Sequence, residues 1–357
     1  MRCDDVIQAI QKLSLENIPK NHISKIGEGA WHDVYKVERA LAADIVLRIK
    51  KKEAYGAVQD YEENALISEY ESTKIYYQNA NACCDGICPS FFDYFLDESI
   101  VFTVESYMGK GVPLQRLRHH DAFSVGEKLG DFFRSMHSKT TGLEGFGALQ
   151  WNGEKLEGKV QQDVNQIWQD DNDQYISVLE KLTRADLQFD QINVVDKVID
   201  IIKDRRNHQQ KIALVNQDIT PENMIVHSDN VSIIDPFPRL DFDLKYAGYV
   251  VFCYKFLLPA YSTAPRYRSS GYLQNASTMR YIGDGFIKGY TSGDTWLIRS
   301  IKYEYILWVL LETYEHYEIL NGNDLNYKIR QQMGDKDMIN NRLSICLDEL
   351  EKSCLAL

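Results

Sequence analysis

Short apolar runs separated by glycine or charged residues dominate the first third of the chain, a pattern typical of strands. Two such runs, Ile23 to Ile26 and Asp33 to Val37, flank the segment Gly27-Glu28-Gly29. A third run, Asp44 to Lys50, has apolar side chains at alternating positions, so the three runs predict the start of a sheet with tight connections. Further elements predicted here are an amphipathic helix from Tyr61 to Asn79 and strands from Phe91 to Phe95 and from Ile100 to Glu105.

Beyond Gly109 the pattern changes to a helical period. Helices are predicted for Asp121 to Lys139, Gln161 to Leu182, Val194 to Asn207, Leu297 to Leu320 and Asn340 to Leu355. Two strand-like segments, Ile212 to Val215 and Val231 to Ile234, bracket a polar loop. The apolar stretch from Tyr249 to Tyr261 is too short to span a membrane and predicts a buried helix. The fold class is therefore α+β, with a small sheet-containing lobe over residues 1–108, a larger, mainly helical lobe over 109–357 and a hinge near Gly109 to Gly111.

Composition and charge narrow the classes of partner. The 357 residues include 40 Lys and Arg and 52 Asp and Glu, a net charge of −12, and 44% are hydrophobic, as in a folded globular protein. This acidic balance argues against binding to nucleic acid or to an anionic membrane. The N-terminal residues do not resemble an export signal, and the seven cysteines lack regular spacing, so a cytoplasmic location is expected. Cys83, Cys84 and Cys88 are poorly placed to chelate zinc together.

The strongest chemical signal is Asn216-Gln217-Asp218-Ile219-Thr220-Pro221-Glu222-Asn223, followed by Ile233-Ile234-Asp235. An Asp, an Asn five residues later and a second Asp after a short hairpin are the arrangement by which kinase catalytic loops orient a hydroxyl and bind magnesium. We expect Asp218 to act as the catalytic base and Asn223 and Asp235 to be oxygen ligands of Mg²⁺. Asp and Asn are also ordinary turn residues, so a polar hairpin loop is the alternative.

Two upstream features favour the catalytic interpretation. Gly27 and Gly29 lie between predicted strands, where the lack of side chains would let backbone amides approach the phosphates of ATP. In isolation a Gly-x-Gly segment more often marks a hairpin turn. Arg48 lies where a kinase strand carries its phosphate-binding cation, and Glu69 or Glu71 on the following helix is expected to pair with it.

In this order the segments resemble the aminoglycoside phosphotransferase and choline kinase branch of the protein-kinase-like fold, over nearly the whole chain. The segment Val101-Phe102-Thr103-Val104-Glu105-Ser106-Tyr107-Met108-Gly109 resembles the hinge that holds adenine through backbone groups around Glu105 and Tyr107. Further similar segments are Ser135-Met136-His137-Ser138, Gly145-Phe146-Gly147 and Asp243-Leu244. The resemblance implies a bilobal fold, ATP or GTP and Mg²⁺ as cofactors, and an aspartate at position 243 that braces the catalytic loop. His137 is expected to be structural.

Two departures from the family pattern change what we expect of the catalytic loop and of the segment after Asp235. Asn216 stands where the family usually has the histidine that braces the loop, so the bracing of this loop is expected to differ. Asp235 is followed by Pro236-Phe237-Pro238, which predicts a rigid loop because proline fixes φ. The short stretch between Asp235 and Asp243 contains no obvious activation segment, which favours constitutive action on small molecules.

The leading hypothesis is therefore an ATP-dependent kinase that phosphorylates a hydroxyl of a small molecule, such as an aminoglycoside-type antibiotic, and so contributes to antibiotic resistance. Asp241, Glu312, Glu315 and Glu318 could line a pocket for a cationic acceptor, although this spacing is also typical of a solvated helix face. A choline- or sugar-type metabolite kinase is one alternative, since aromatic rings bind quaternary cations. A kinase-like binding protein of a spore-coat or surface assembly is another, favoured by Asn216. The oligomeric state is open.

Overall fold

The computed structural model describes residues 3–15, 18–54, 57–227, 230–322 and 325–357. Met1 and Arg2 and the side chains of Cys3 and Asp4, within the segment considered above for an export signal, lie outside the described residues. An antiparallel sheet organises the N-terminal part of the chain, and helices dominate the rest. The predicted α+β class, with a sheet lobe followed by a mainly helical lobe, is confirmed.

Strands occur throughout the chain but pair in separate sheets. They are β1 Ile23–Glu28, β2 His32–Val37, β3 Ile45–Lys50, β4 Glu53–Ala54, β5 Ala57–Val58, β6 Phe92–Leu96, β7 Val101–Ser106, β8 Phe146–Trp151, β9 Leu156–Val160, β10 Ile212–Asn216, β11 Met224–His227, β12 Asn230–Ile233 and β13 Pro238–Phe242. In the described residues the N-terminal sheet has the order β1-β2-β3-β7-β6, and every pair is antiparallel. A second sheet has the order β10-β13-β8-β9, and β11 pairs only with β12.

The helices surround these sheets. They are α1 Cys3–Lys12, α2 Glu63–Cys83, α3 His119–Ser138, α4 Val164–Arg184, α5 Gln191–Arg206, α6 Asp243–Phe252, α7 Leu258–Ala260, α8 Ala276–Thr291, α9 Thr295–Asn321, α10 Tyr327–Met333 and α11 Lys336–Leu355. None of the described helices is long and apolar enough to cross a membrane. The predicted helix from Tyr249 to Tyr261 is present, but it is interrupted by a π-helical segment, Cys253–Leu257, just before Pro259.

Helix α1, which the sequence analysis did not predict, closes the N-terminal sheet. Its residues Val6, Ala9 and Ile10 are buried against apolar side chains of β3 such as Leu47 and Ile49. The spacing of these three residues is that of one helix face, so the signal was present in the sequence. The first sheet therefore has a covered apolar face, and its other face is left to α2 and the cleft.

Helices α3 and α8 pack unusually closely, through two pairs of glycines. Gly126 and Gly130 lie one turn apart on α3, and Gly285 and Gly289 lie one turn apart on α8. A Cβ added at any of the four would overlap with a backbone carbonyl of the opposite helix. Small residues at this spacing let helix backbones approach one another. We call these four residues the glycine seam.

Candidate active site

The polar loop after β10 and the turn after β12 come together because β11 and β12 form a hairpin. Met224 pairs with Ile233, so the residues before and after the hairpin are adjacent. The backbone N–H of Ile234 donates to the carbonyl of Asn223 at 2.9 Å, and Nδ2 of Asn223 donates to the carbonyl of Asp235 at 3.3 Å. The two residues predicted as metal ligands are therefore neighbours in space.

Asn216 braces this loop through its side-chain carbonyl oxygen. Oδ1 of Asn216 accepts from the backbone N–H of Asp218 at 3.0 Å and from that of Phe237 at 2.9 Å. Asn216 is buried, and the N–H of Gln217 donates to the carbonyl of Phe237 in the same connection. Asn216 therefore ties the loop at Asp218 to the turn after Asp235, from the position where the family that the sequence resembles usually has a histidine.

Two further contacts fix the loop around Asp218. Oγ1 of Thr220 donates to Oδ1 of Asp218 at 3.1 Å. The hydroxyl of Tyr254, on the π-helical segment, donates to the carbonyl of Ile219 at 2.8 Å. Burial raises the pKa of Asp218 above the ordinary value of an aspartate, although the hydrogen bond from Thr220 opposes the shift. A carboxylate with a raised pKa is a better proton acceptor than an exposed aspartate.

Arg48 reaches across the cleft from the N-terminal sheet to Asp235. Its Nε donates to Oε1 of Glu105 at 2.9 Å, and its Nη1 donates to Oδ2 of Asp235 at 3.3 Å. The hydroxyl of Tyr77, on α2, donates to Oε2 of Glu105 at 3.0 Å and accepts from the N–H of Asp235 at 3.0 Å. These four residues form a closed cycle of contacts, which we call the cleft ring.

The predicted partner of Arg48 was wrong. Glu69 contacts Lys50 at 3.5 Å, and Glu71 accepts from the hydroxyl of Tyr94 at 2.7 Å. The register of the sheet explains the difference, because Arg48 on β3 lies opposite Thr103 on β7. Glu105, two residues further along β7, then lies on the same face as a diagonal neighbour of Arg48, within reach of its long side chain.

The segment after β7 is pinned to both lobes. The N–H of Tyr107 donates to the carbonyl of Asp44 at 3.1 Å, and Nε2 of His227 donates to the carbonyl of Met108 at 2.8 Å. Gly109 has a φ of +90°, and a Cβ there would lie 2.8 Å from the His227 ring. The proposed adenine contact therefore has to use backbone groups other than the N–H of Tyr107.

The turn between β1 and β2 is held by charged side chains. The N–H of Gly29 donates to the carbonyl of His32 at 2.9 Å, and Nζ of Lys51 contacts Oε1 of Glu28 at 2.6 Å. A Cβ at Gly27 would make only ordinary contact with Val34, at 3.6 Å, and one at Gly29 would lie 3.7 Å from the carbonyl oxygen of His32. Packing within the chain therefore does not require either glycine, and a ligand that approaches the backbone would explain both.

The donors around Asp235 fit magnesium better than a metal bound by protein groups alone. Asp235 has a half-exposed carboxylate, and the neighbouring Asn223 carries an amide oxygen. In the described ranges no cluster of three or more His, Cys, Asp or Glu side chains could hold an ion without further ligands. Mg²⁺ is usually bound by one or two carboxylates together with substrate phosphates and water.

The acidic residues suggested for an acceptor pocket do not act as a group. Asp241 is buried and contacts Arg239 at 2.8 Å, so it does not line a pocket. Glu312 is also buried, and its Oε1 accepts from the hydroxyl of Tyr261 at 2.5 Å, whereas Glu315 and Glu318 on the same helix are exposed.

Glu312 has a pKa far from the ordinary value of a glutamate. Burial raises the pKa of Glu312 to about 7, and the charge of Glu315 adds to the shift. Burial likewise raises the pKa of the Cys253 thiol, and the charges of Glu312 and Asp218 raise it further.

Two positions that the family resemblance singled out, Asp243 and His137, make structural contacts. Oδ1 of Asp243 accepts from the N–H of Leu244 at the start of α6, and its Oδ2 lies 4.0 Å from Nζ of Lys211. The predicted role of Asp243 as a brace of the catalytic loop is therefore wrong for the contacts described, and Asn216 provides that brace. His137 is buried with Nδ1 3.0 Å from the hydroxyl of Tyr290, in agreement with a structural role.

Comparison with solved structures identifies the fold. The chain aligns over 97% of its length with 98% of a thermostable mutant of aminoglycoside phosphotransferase APH(4)-Ia in a ternary complex with ADP and hygromycin B, at a TM-score of 0.56 and 14% sequence identity. It aligns over 98% with 98% of a choline/ethanolamine kinase family protein from Mesorhizobium loti, at a TM-score of 0.51 and 14% identity. The chain has their protein-kinase-like fold. No family model and no curated protein matches the sequence.

Proposed function

We propose that this protein transfers the γ-phosphate of ATP to a hydroxyl group of a small molecule in a Mg²⁺-dependent reaction. The observation that carries the proposal is the contact between Arg48 and Asp235 across the cleft, with Asn223 and Asp218 in the same braced loop. A fixed cation, two oxygen ligands and a positioned carboxylate are the groups that phosphoryl transfer requires. Proteins that share the fold were solved with ADP and hygromycin B, which supports a nucleotide and a small acceptor.

Each group of the site has a distinct task in this proposal. Asp218 orients the acceptor hydroxyl and takes its proton, and its buried position favours proton acceptance. Arg48 contacts the phosphates, with Gly27 and Gly29 above them and backbone groups near Glu105 and Tyr107 around the adenine. Mg²⁺, held by Asn223 and Asp235, would neutralise charge on the phosphates. GTP is the alternative nucleotide.

The acceptor is proposed to carry a positive charge, as an aminoglycoside-type antibiotic does. The net charge of −12 supports this assignment, because an acidic protein attracts a cationic acceptor. A choline-type acceptor is supported by the aromatic pair of Tyr249 and Trp308, whose ring centroids are 4.7 Å apart on the neighbouring helices α6 and α9.

The test is ATP consumption with Mg²⁺ in the presence of aminoglycosides, choline and simple sugars. We expect one compound to stimulate turnover, and Asp218→Ala to reduce kcat by about 10³-fold because the base and its orientation are lost. Asp200→Ala, which removes an exposed aspartate of α5, is the matched control and keeps full activity. ATP binding without turnover for any acceptor would favour the kinase-like binding protein.

A further inference from the structure

Tyr77 occupies a position in the cleft ring that the proposed chemistry does not by itself require. Its side chain is buried, and its hydroxyl contacts a carboxylate on one side and a backbone N–H on the other. Because the carboxylate of Glu105 accepts hydrogen bonds and the N–H of Asp235 donates one, the hydroxyl hydrogen has to point to Glu105 and a lone pair to Asp235. The direction of this hydrogen bond chain is therefore fixed.

Asp235 is held at every polar group that it carries. Its N–H donates to Tyr77, its carbonyl accepts from Asn223, and one carboxylate oxygen accepts from Arg48. Its φ is +51°, in the left-handed region that non-glycine residues seldom adopt. A residue in that region is kept there by its surroundings, and the N–H bond to Tyr77 is one of the contacts that do so.

We propose that Tyr77 is a positioning residue for the metal-binding carboxylate of Asp235, and that it couples this carboxylate to the phosphate-binding cation Arg48 through Glu105. The inference rests on the proposed function, since it takes Asp235 as a ligand of Mg²⁺. In this scheme α2 contributes to the site through a tyrosine hydroxyl and the strand β7 supplies the carboxylate that holds Arg48. Loss of the hydroxyl would free the backbone of Asp235 while leaving the nucleotide contacts of Arg48 in place.

The experiment separates metal-dependent from metal-independent nucleotide binding. Calorimetry gives the Kd of ADP with and without saturating Mg²⁺, and the ratio of the two values is the magnesium enhancement. For Tyr77→Phe we expect the enhancement to fall about tenfold, the effect of one lost hydrogen bond, with the Kd of ADP alone within about twofold of wild type. Tyr175→Phe is the matched control, because Tyr175 is buried in the C-terminal lobe and its hydroxyl has no hydrogen-bond partner among the described residues.

The outcomes distinguish this inference from the proposed function. An unchanged enhancement in Tyr77→Phe, or an equal loss of affinity with and without Mg²⁺, would overturn the positioning role. A wild-type protein that shows no enhancement would contradict the proposed magnesium site instead. If Tyr77→Phe does not fold, as judged by thermal unfolding, the same ratio is measured in Glu105→Gln, which leaves the Tyr77 hydroxyl a neutral amide oxygen as its acceptor in place of a charged one; an unchanged ratio there overturns the coupling through Glu105.

Discussion

Two arginines of this chain are each held between two carboxylates, but their surroundings differ. Arg48 belongs to the cleft ring, where the carboxylate of Asp235 is 50% exposed. Arg205, in the C-terminal lobe, contacts Glu304 at 2.6 Å and Asp171 at 2.7 Å, and none of these three side chains is more than 8% exposed. An arginine between two carboxylates therefore occurs once with a solvent-exposed carboxylate at the cleft and once enclosed by helices.

The enclosed network has the features of a structural element. Arg205 on α5 connects α4, through Asp171, with α9, through Glu304, and its guanidinium lies 4.1 Å from the ring centroid of Trp168. Lys245 on α6 also donates to Asp171. The cleft ring differs from this network in having one solvent-exposed carboxylate, and under the proposed function the contact between Arg48 and Asp235 would give way to contacts with phosphate and metal. The solvent exposure of one carboxylate therefore distinguishes the cleft ring from the enclosed network of Arg205.

The largest effect is expected from a substitution of Asp235, the solvent-exposed member of the cleft ring. Asp235→Asn keeps the shape of the side chain and tolerates a positive φ, but it removes the charge that we propose binds magnesium. We expect turnover to fall about 10³-fold, with little change in the melting temperature. Asp93→Asn, at an exposed position of β6, is the control and leaves both unchanged. A comparable fall in stability would show that the ring is a support like the network of Arg205.

A substitution in the enclosed network of Arg205 should have the opposite effect, which is a loss of stability without a change in nucleotide binding. Arg205→Met leaves the buried carboxylate of Glu304 without a cation and Asp171 with Lys245 alone, so we expect the free energy of unfolding to fall by about 3–5 kcal/mol. Urea unfolding measures this change, and the KM for ATP at low temperature should stay at its wild-type value. Arg184→Met removes an exposed arginine of α4 and should cost no more than about 0.5 kcal/mol. A rise in KM without loss of stability would contradict the comparison.

Glu312 sharpens the comparison because it is buried without an arginine in direct contact. Its pKa is raised to about 7 from an ordinary 4.5, so the folded state binds a proton that the unfolded state has lost. Stability should therefore fall as pH rises from about 4.5 to 7, by about 3 kcal/mol at most. Glu312→Gln should remove this part of the pH dependence in unfolding measured at pH 5 and pH 8. An unchanged slope would show that Glu312 is ionised at little cost.

The smallest effect concerns acid pH, where activity and stability should separate. Burial would raise the pKa of Asp171, but Lys245 and Arg205 outweigh it and hold this pKa below the ordinary value, so its stabilising contribution is lost only when pH falls through that lowered value. Because the pKa of Asp218 is raised, kcat/KM should fall about tenfold per pH unit as pH drops below that pKa, and this loss should begin while the fold is still intact. Measurements of activity and of circular dichroism across the same pH range test whether activity is lost before the fold as pH falls. Coincident loss of both would contradict it.

The sequence predicted the elements that carry the site better than their side-chain partners. The strands before and after Gly27 to Gly29, the helix α2 and the loop at Asp218 have strong local patterns, and the structure confirms each of these elements. The partner of Arg48 could not be predicted because it depends on the register of β3 against β7, which is not visible in a single sequence. A signal existed at Glu105, since a carboxylate within an apolar strand run is seldom buried without a partner.

Other features depended on distant contacts. The hairpin of β8 and β9 and the helix α8 were not predicted, and the role of Asn216 as a brace was visible only when β10 and β13 were paired. The acidic spacing on α9 predicted one face for Glu312, Glu315 and Glu318, but neighbouring helices bury only the first of them. Local spacing determines which residues share a face, and packing determines which part of that face is covered.

The glycine seam has a consequence for how the sequence of this protein can vary. At Gly126, Gly130, Gly285 and Gly289 one added methyl group would push apart the backbones of α3 and α8, although alanine forms helices better than glycine. In a saturation mutagenesis library, alanine should be depleted at these four positions as strongly as larger residues. At Gly142 and Gly153, where an added Cβ meets open space, variants should be lost only as far as the positive φ disfavours them.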